Sequence, residues 1–113
     1  MEKTDAVTAL AALAQDNRLD VYRLLVQAGP DGMTAGAIAE ALELAPNTLT
    51  FHFDRLRRAG LATVRREGRS MIYAARFETM NALVGFLTEN CCGGVSCAPP
   101  SSKPARKRSK TPA

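Results

Sequence analysis

The strongest constraint on this chain is a change of hydrophobic period at Gly60. Before it, apolar residues recur every three to four positions; just beyond it they alternate with polar ones, so helices give way to paired strands. Val7, Leu10, Ala11 and Ala14 predict a short first helix from Ala6 to Ala14. Asp16 or Asn17 can cap a second, whose expected buried stripe is Leu19, Tyr22, Leu25 and Val26; it runs to about Ala28, where Gly29-Pro30-Asp31-Gly32 stops it. Thr34 offers an N-cap for a third helix, Ala35 to Leu42, with Ile38 and Leu42 on its inner face. Pro46 suits the first turn of a fourth, because its missing N–H has no intrahelical partner there; Leu49, Phe53 and Leu56 point inward and Gly60 ends it. Leu61 to Val64 and Met71 to Ala74 then form a β-hairpin around Arg65 to Ser70, with Gly68 at the centre of the turn. Helical spacing returns from Phe77 to Asn90 through Met80, Leu83, Val84 and Leu87, giving the order ααααββα.

With 113 residues, 46% of them apolar, the chain can bury one modest core and has no room for a second domain of ordinary size. No apolar run approaches the roughly 18 residues that span a bilayer, and Met1 to Asp5 lack the order of a signal peptide, so a cytoplasmic protein without membrane contact is expected. The net charge of +4 is unevenly placed. Lys103, Arg106, Lys107, Arg108 and Lys110 lie in the tail, leaving ten basic residues against 11 acidic ones elsewhere. Within that neutral remainder, Arg55, Arg57, Arg58, Arg65, Arg66 and Arg69 form a basic stretch opposed by Asp54 and Glu67 alone. The Gly, Pro, Ser and Lys content after the last helix marks a disordered tail.

Two short helices joined by a tight turn and followed by a hairpin with a basic tip make a winged helix-turn-helix, a mainly α fold with a β-hairpin. The first and last helices carry more apolar surface than so small a core can cover, and a homodimer joined through them is the economical expectation. On the fourth helix, Asn47, Thr48, Thr50, Phe51, His52 and Arg55 are left on outward or flanking faces, where hydroxyls and amides can bond base edges or phosphates of double-stranded DNA. Arg65, Arg66 and Arg69 at the hairpin tip would reach a neighbouring groove. Phe51 can touch a thymine methyl or pack on a neighbouring helix; His52 has no second histidine and no nearby cysteine in sequence, which favours packing or DNA contact over metal ligation.

The segments Leu13 to Leu19, Thr48 to Phe53 and Leu56 to Leu61 resemble those of the ArsR/SmtB metalloregulators, over about residues 6–90. That resemblance implies a homodimeric repressor that leaves its operator when a metal or metalloid binds. Two family sites are missing: Thr34 to Leu44 holds no cysteine, and Phe77 to Asn90 holds no histidine.

What remains is Cys91-Cys92-Gly93-Gly94-Val95-Ser96-Cys97, where two glycines let the chain fold back so that the sulfurs of Cys91, Cys92 and Cys97 converge. Three soft thiolates suit a thiophilic ion, and trivalent arsenic or antimony takes three sulfurs where structural zinc usually wants four ligands. The segment also resembles the C-terminal cysteine site of one branch of arsenic-responsive repressors, which implies arsenite or antimonite as inducer. The expected division is a DNA-binding and dimerisation domain over 1–90, a metalloid-binding segment over 91–97 and a disordered basic tail over 98–113. A thiol redox sensor and a zinc or copper(I) sensor are the alternatives. An enzyme is not expected: the cysteines have no base beside them in sequence, and no phosphate-binding glycine loop is present.

Overall fold

The computed structural model describes residues 1–94, and both Cys97 and the expected tail over 98–113 lie outside the described residues. The order is α1 (Lys3–Leu13), α2 (Asp16–Ala28), β1 (Met33–Thr34), α3 (Ala35–Leu42), α4 (Pro46–Arg58), β2 (Ala62–Glu67), β3 (Ser70–Ala75) and α5 (Phe77–Thr88), followed by a 3₁₀ turn, Cys91–Gly94. This is the expected winged helix-turn-helix with one addition: β1 pairs with β3, making an antiparallel sheet of order β1-β3-β2. Its register sets Met33 opposite Tyr73 and Thr34 opposite Ile72.

Local chemistry explains most boundaries. The Thr34 hydroxyl accepts the Ala37 amide at 3.1 Å and caps α3 as anticipated. Pro46 opens α4 at its first turn. The second helix is capped differently from the expectation: the Gln15 side chain, not Asp16 or Asn17, accepts the Arg18 amide at 2.9 Å. The hairpin is also tighter than expected. Glu67 pairs with Ser70, so Arg65 and Arg66 belong to β2 and only Gly68-Arg69 turns the chain, with Gly68 at φ +62. Glycine at the first central position with positive φ matches the strand twist, which is why so short a turn closes here.

The core gathers Val21, Tyr22 and Leu25 of α2, Ile38 of α3, Leu49, Phe53 and Leu56 of α4, Leu61, and Leu83 of α5. The inner stripes of α1 and α2 differ from the expected ones. In α1 the buried residues are Ala6, Ala9 and Ala12, while Val7 and Leu10 face out; in α2, Arg18 and Val21 are buried while Leu19 and Val26 are exposed. In α5, Leu83 alone is buried, and Val84 and Leu87 are exposed. Small alanines let α1 sit close, and its larger aliphatics face outward.

Candidate nucleic-acid interface

Helix α4 is presented by the sheet. Leu49, Phe53 and Leu56 are buried on its inner side, and the Phe53 ring stacks on Tyr73 of β3 with centroids 3.6 Å apart and planes 12° from parallel. At about 100° per residue, this anchoring turns Asn47, Thr48, Thr50, Phe51 and Arg55 to solvent, as the sequence predicts. The exposed Thr50 hydroxyl donates to the Pro46 carbonyl at 2.9 Å, which leaves its oxygen free to accept. Glu43, at φ +55, is the left-handed C-cap of α3 that swings the chain into α4.

His52 does not join that face. It is only 6% exposed and lies beneath the helix, its Nδ1 3.5 Å from a guanidinium nitrogen of Arg18, which is itself 8% exposed. Arg18 also donates from Nε to the Ala12 carbonyl at 2.6 Å. A guanidinium has no acceptor atom, so the imidazole must accept at Nδ1, which assigns the neutral tautomer with its proton on Nε2. Burial, and then the charge of Arg18, holds its pKa below the ordinary 6.5. The expected outward DNA contact is therefore corrected to a packed link between α4, α2 and the end of α1. Sequence reasoning missed Arg18, although Arg18, Val21, Tyr22 and Leu25 keep the spacing of one buried helical stripe.

The arginines divide by what already holds them. Asp54 grips Arg57 at 2.9 Å and Arg58 at 2.8 Å. Arg55 instead lies over the Phe51 ring, its Cζ 5.7 Å from the centroid. In the wing, Arg65 pairs with Glu67 at 2.7 Å and donates to the Asp31 carbonyl at 2.9 Å, while Arg66 donates to the Gly68 carbonyl at 3.2 Å. Arg69 is exposed in the turn. Of the three wing arginines, Arg66 and Arg69 are placed at the tip and Arg65 is tied back to the body. The double change Arg66→Ala, Arg69→Ala is expected to lower the slope of log affinity against log salt by about 2, and Arg65→Ala by less than 1, because each phosphate contact releases about one counterion. Gel shifts across a salt series check this; equal slopes for wild type and the double variant would remove the wing from the interface.

Past α5, Asn90 at φ +59 and Cys92 at φ +56 bend the chain, and Cys91 and Cys92 are both exposed. Among the described residues no three His, Cys, Asp or Glu side chains gather in a metal-binding cluster, and the third expected ligand, Cys97, lies outside them. No helix of the described residues is long and apolar enough to cross a membrane.

Residues 13–65 match the family described as a helix-turn-helix domain. The chain is 32% identical over 77 residues to the uncharacterized HTH-type transcriptional regulator YceK of Bacillus subtilis, covering 67% of this chain and 76% of that one. It is 30% identical over 94 residues to the transcriptional activator HlyU of Vibrio cholerae, covering 81% and 84%. The solved HlyU structure superposes with a TM-score of 0.63 at 29% identity over 81% of this chain and 99% of that one, and a structure of reduced HlyU gives 0.61 at 28% over 79% and 90%. The homodimeric winged helix-turn-helix domain of Mb0332 from Mycobacterium bovis, described as a possible ArsR-family regulator, shares the fold with a TM-score of 0.62 at 24% identity over 85% and 89%.

Proposed function

We infer that this chain, which belongs to the helix-turn-helix transcriptional regulators of the ArsR/SmtB-like winged-helix type, is a cytoplasmic repressor that holds its operator as a homodimer and releases it when trivalent arsenic or antimony binds Cys91, Cys92 and Cys97. The relatives are regulators acting through DNA, and this chain likewise regulates by binding DNA rather than by catalysis. The observation that carries the DNA reading is the outer face of α4, where Asn47, Thr48, Thr50, Phe51 and Arg55 stand together beside a basic wing. HlyU is named an activator; repression is proposed here from the resemblance to metalloregulators and from a switch that acts by release.

The dimer is proposed through α1 and α5. These helices pack on each other and leave Val7 58%, Leu10 42%, Val84 51% and Leu87 57% exposed, a patch that a second copy would cover. A symmetric pair would set the two α4 helices one helical turn of DNA apart, about 34 Å.

The inducer would act at the end of α5. Arsenite exchanges its oxygens for the sulfurs of Cys91, Cys92 and Cys97, the thiol protons leaving with those oxygens as water. Drawing the sulfurs around one ion orders the chain after Asn90 and re-angles α5, so the recognition helices no longer match successive major grooves. This requires the ion to prefer the DNA-free arrangement, since a ligand of equal affinity for both shifts nothing.

Arsenite is expected to lower affinity for an operator selected from a random duplex library by about tenfold or more. Cys91→Ser, Cys92→Ser and Cys97→Ser should each bind DNA like wild type and stay bound in arsenite. Response retained in Cys97→Ser alone would indicate a two-thiol site. A redox reading is second, favoured by the exposed Cys91 and Cys92 and by the solved reduced form of HlyU; release by peroxide but not by arsenite would establish it. Release by zinc or copper(I) alone would favour the third.

A further inference from the structure

Phe51 is the one large apolar side chain of α3 and α4 left exposed, with 55% of its surface in water. It is not a stray edge of the core. With Leu49, His52, Phe53 and Leu56 buried, the helical turn angle puts Phe51 near the middle of the opposite face of α4. Its neighbours four residues away on that face are Asn47 and Arg55. Val7, Leu10, Val84 and Leu87 are exposed on α1 and α5, where a second copy would cover them, and Leu19, Val26 and Met71 are exposed on α2 and β3; on α4 the exposed apolar side chain is Phe51.

Arg55 differs from the other two arginines of the helix. Asp54 bonds Arg57 with one oxygen and Arg58 with the other, so both guanidiniums are already engaged, although one carboxylate offsets only one of their two charges. The Arg55 guanidinium instead rests 5.7 Å from the centre of the Phe51 ring, and the His52 ring meets the same phenyl group edge-on with centroids 5.5 Å apart. Ring and guanidinium therefore steady each other, reducing the side-chain freedom that DNA contact would otherwise have to restrict. In a major groove, an exposed phenyl finds its apolar partner in the C5-methyl of thymine, and a free guanidinium finds the paired O6 and N7 acceptors of guanine.

We propose that Phe51 and Arg55 are the specificity-determining pair of the recognition helix: Phe51 reads a thymine methyl, and Arg55 reads a guanine within about two base pairs of it in each half-site. The spacing follows from geometry, since four helical residues rise about 6 Å and base pairs stack about 3.4 Å apart. The assignment rests on the reading of α4 as the DNA-binding helix.

The test uses the full-length protein and a duplex selected from a random library. Each thymine is replaced in turn by deoxyuridine, which removes only the methyl group, and each guanine by 7-deazaguanine, which removes the N7 acceptor. Wild type should lose about fourfold in affinity at one deoxyuridine position per half-site, the worth of one buried methyl. It should lose about tenfold at a nearby 7-deazaguanine. Phe51→Ala should bind the thymine and deoxyuridine duplexes equally while still sensing 7-deazaguanine, and Arg55→Gln should do the reverse. Both side chains are exposed, so circular dichroism and thermal melting should match wild type. If Phe51→Ala keeps the thymine preference, or wild type senses no deoxyuridine, the pair does not read these bases. If wild type selects no duplex at all, the DNA reading of α4 fails first, and the two failures are told apart by that selection.

Discussion

Gly32→Ala is expected to destabilise the protein by at least about 3 kcal/mol and lower its melting temperature by about 15 °C. Gly32 sits at φ +75, a left-handed conformation that costs an L-residue roughly 1–2 kcal/mol. A methyl group there would also press on the Tyr73 carbonyl oxygen and stand 3.0 Å from the Ile72 side chain. Neither neighbour can retreat cheaply, because β3 is hydrogen-bonded on both sides, with Tyr73 opposite Met33 of β1 and Val64 of β2. Tyr73 is also the residue on which Phe53 of the recognition helix stacks, so any shift is felt in α4. Gly36→Ala provides the contrast. Gly36 is helical and a methyl there meets nothing within 4 Å, so that change should stabilise by up to about 1 kcal/mol. Urea melts of the two variants check the pair; a Gly32→Ala protein as stable as wild type would show that β1 and β3 do not approach as described.

Arg18→Ala is expected to cost about 3 kcal/mol and to weaken DNA binding with it. The change removes charge-assisted bonds to the Ala12 carbonyl and His52 Nδ1, leaving both acceptors buried without this partner. The same link predicts a pH dependence. In the unfolded chain His52 titrates near 6.5, whereas in the folded chain its pKa is lower, because burial and the Arg18 charge disfavour the imidazolium. Between those two values the unfolded state binds more protons, so stability falls as pH drops below about 6.5 and levels off below the folded pKa. His52→Gln can still accept from Arg18 and does not titrate. Its urea midpoint should fall less than that of wild type between about pH 7.5 and pH 5.5. Identical falls in the two proteins would show that the imidazole is not held neutral by this contact.

Much of this fold is legible in the sequence because its punctuation is local. The Thr34 cap, Pro46 at a first helical turn, the break at Gly60 and the central glycine of the hairpin each act over a few residues, and each is found where expected. Leu49, Phe53 and Leu56 are large and apolar, so the inner face of α4, and with it most of the outer face, follows directly. The inner face of α1 escaped notice because three alanines carry a weak hydrophobic signal beside Val7 and Leu10, and periodicity favours the larger pair whichever surface they serve. β1 is two residues long, too short to show alternation. Arg18 and His52 were hidden for a further reason: each alone reads as surface, and only the fold brings residues 34 positions apart into one buried contact. The tethering of Arg65 to the Asp31 carbonyl, again 34 positions away, is likewise a tertiary fact.

The fork at Asp54 bears on how such a protein finds one address in a genome. Its two oxygens engage Arg57 and Arg58 at the C-terminal end of the recognition helix, so a phosphate that approaches either arginine competes with a carboxylate already bonded to it. That competition weakens attraction to every duplex alike, whatever its sequence, while contacts to base edges are left at full strength. Chromosomes offer about 10⁶–10⁹ wrong sites for each right one; a uniform weakening leaves the ratio of right to wrong affinities unchanged but frees the protein sooner from each wrong site. A single acidic residue placed among the arginines thus shortens the time lost on irrelevant DNA, and it does so by making the helix less sticky.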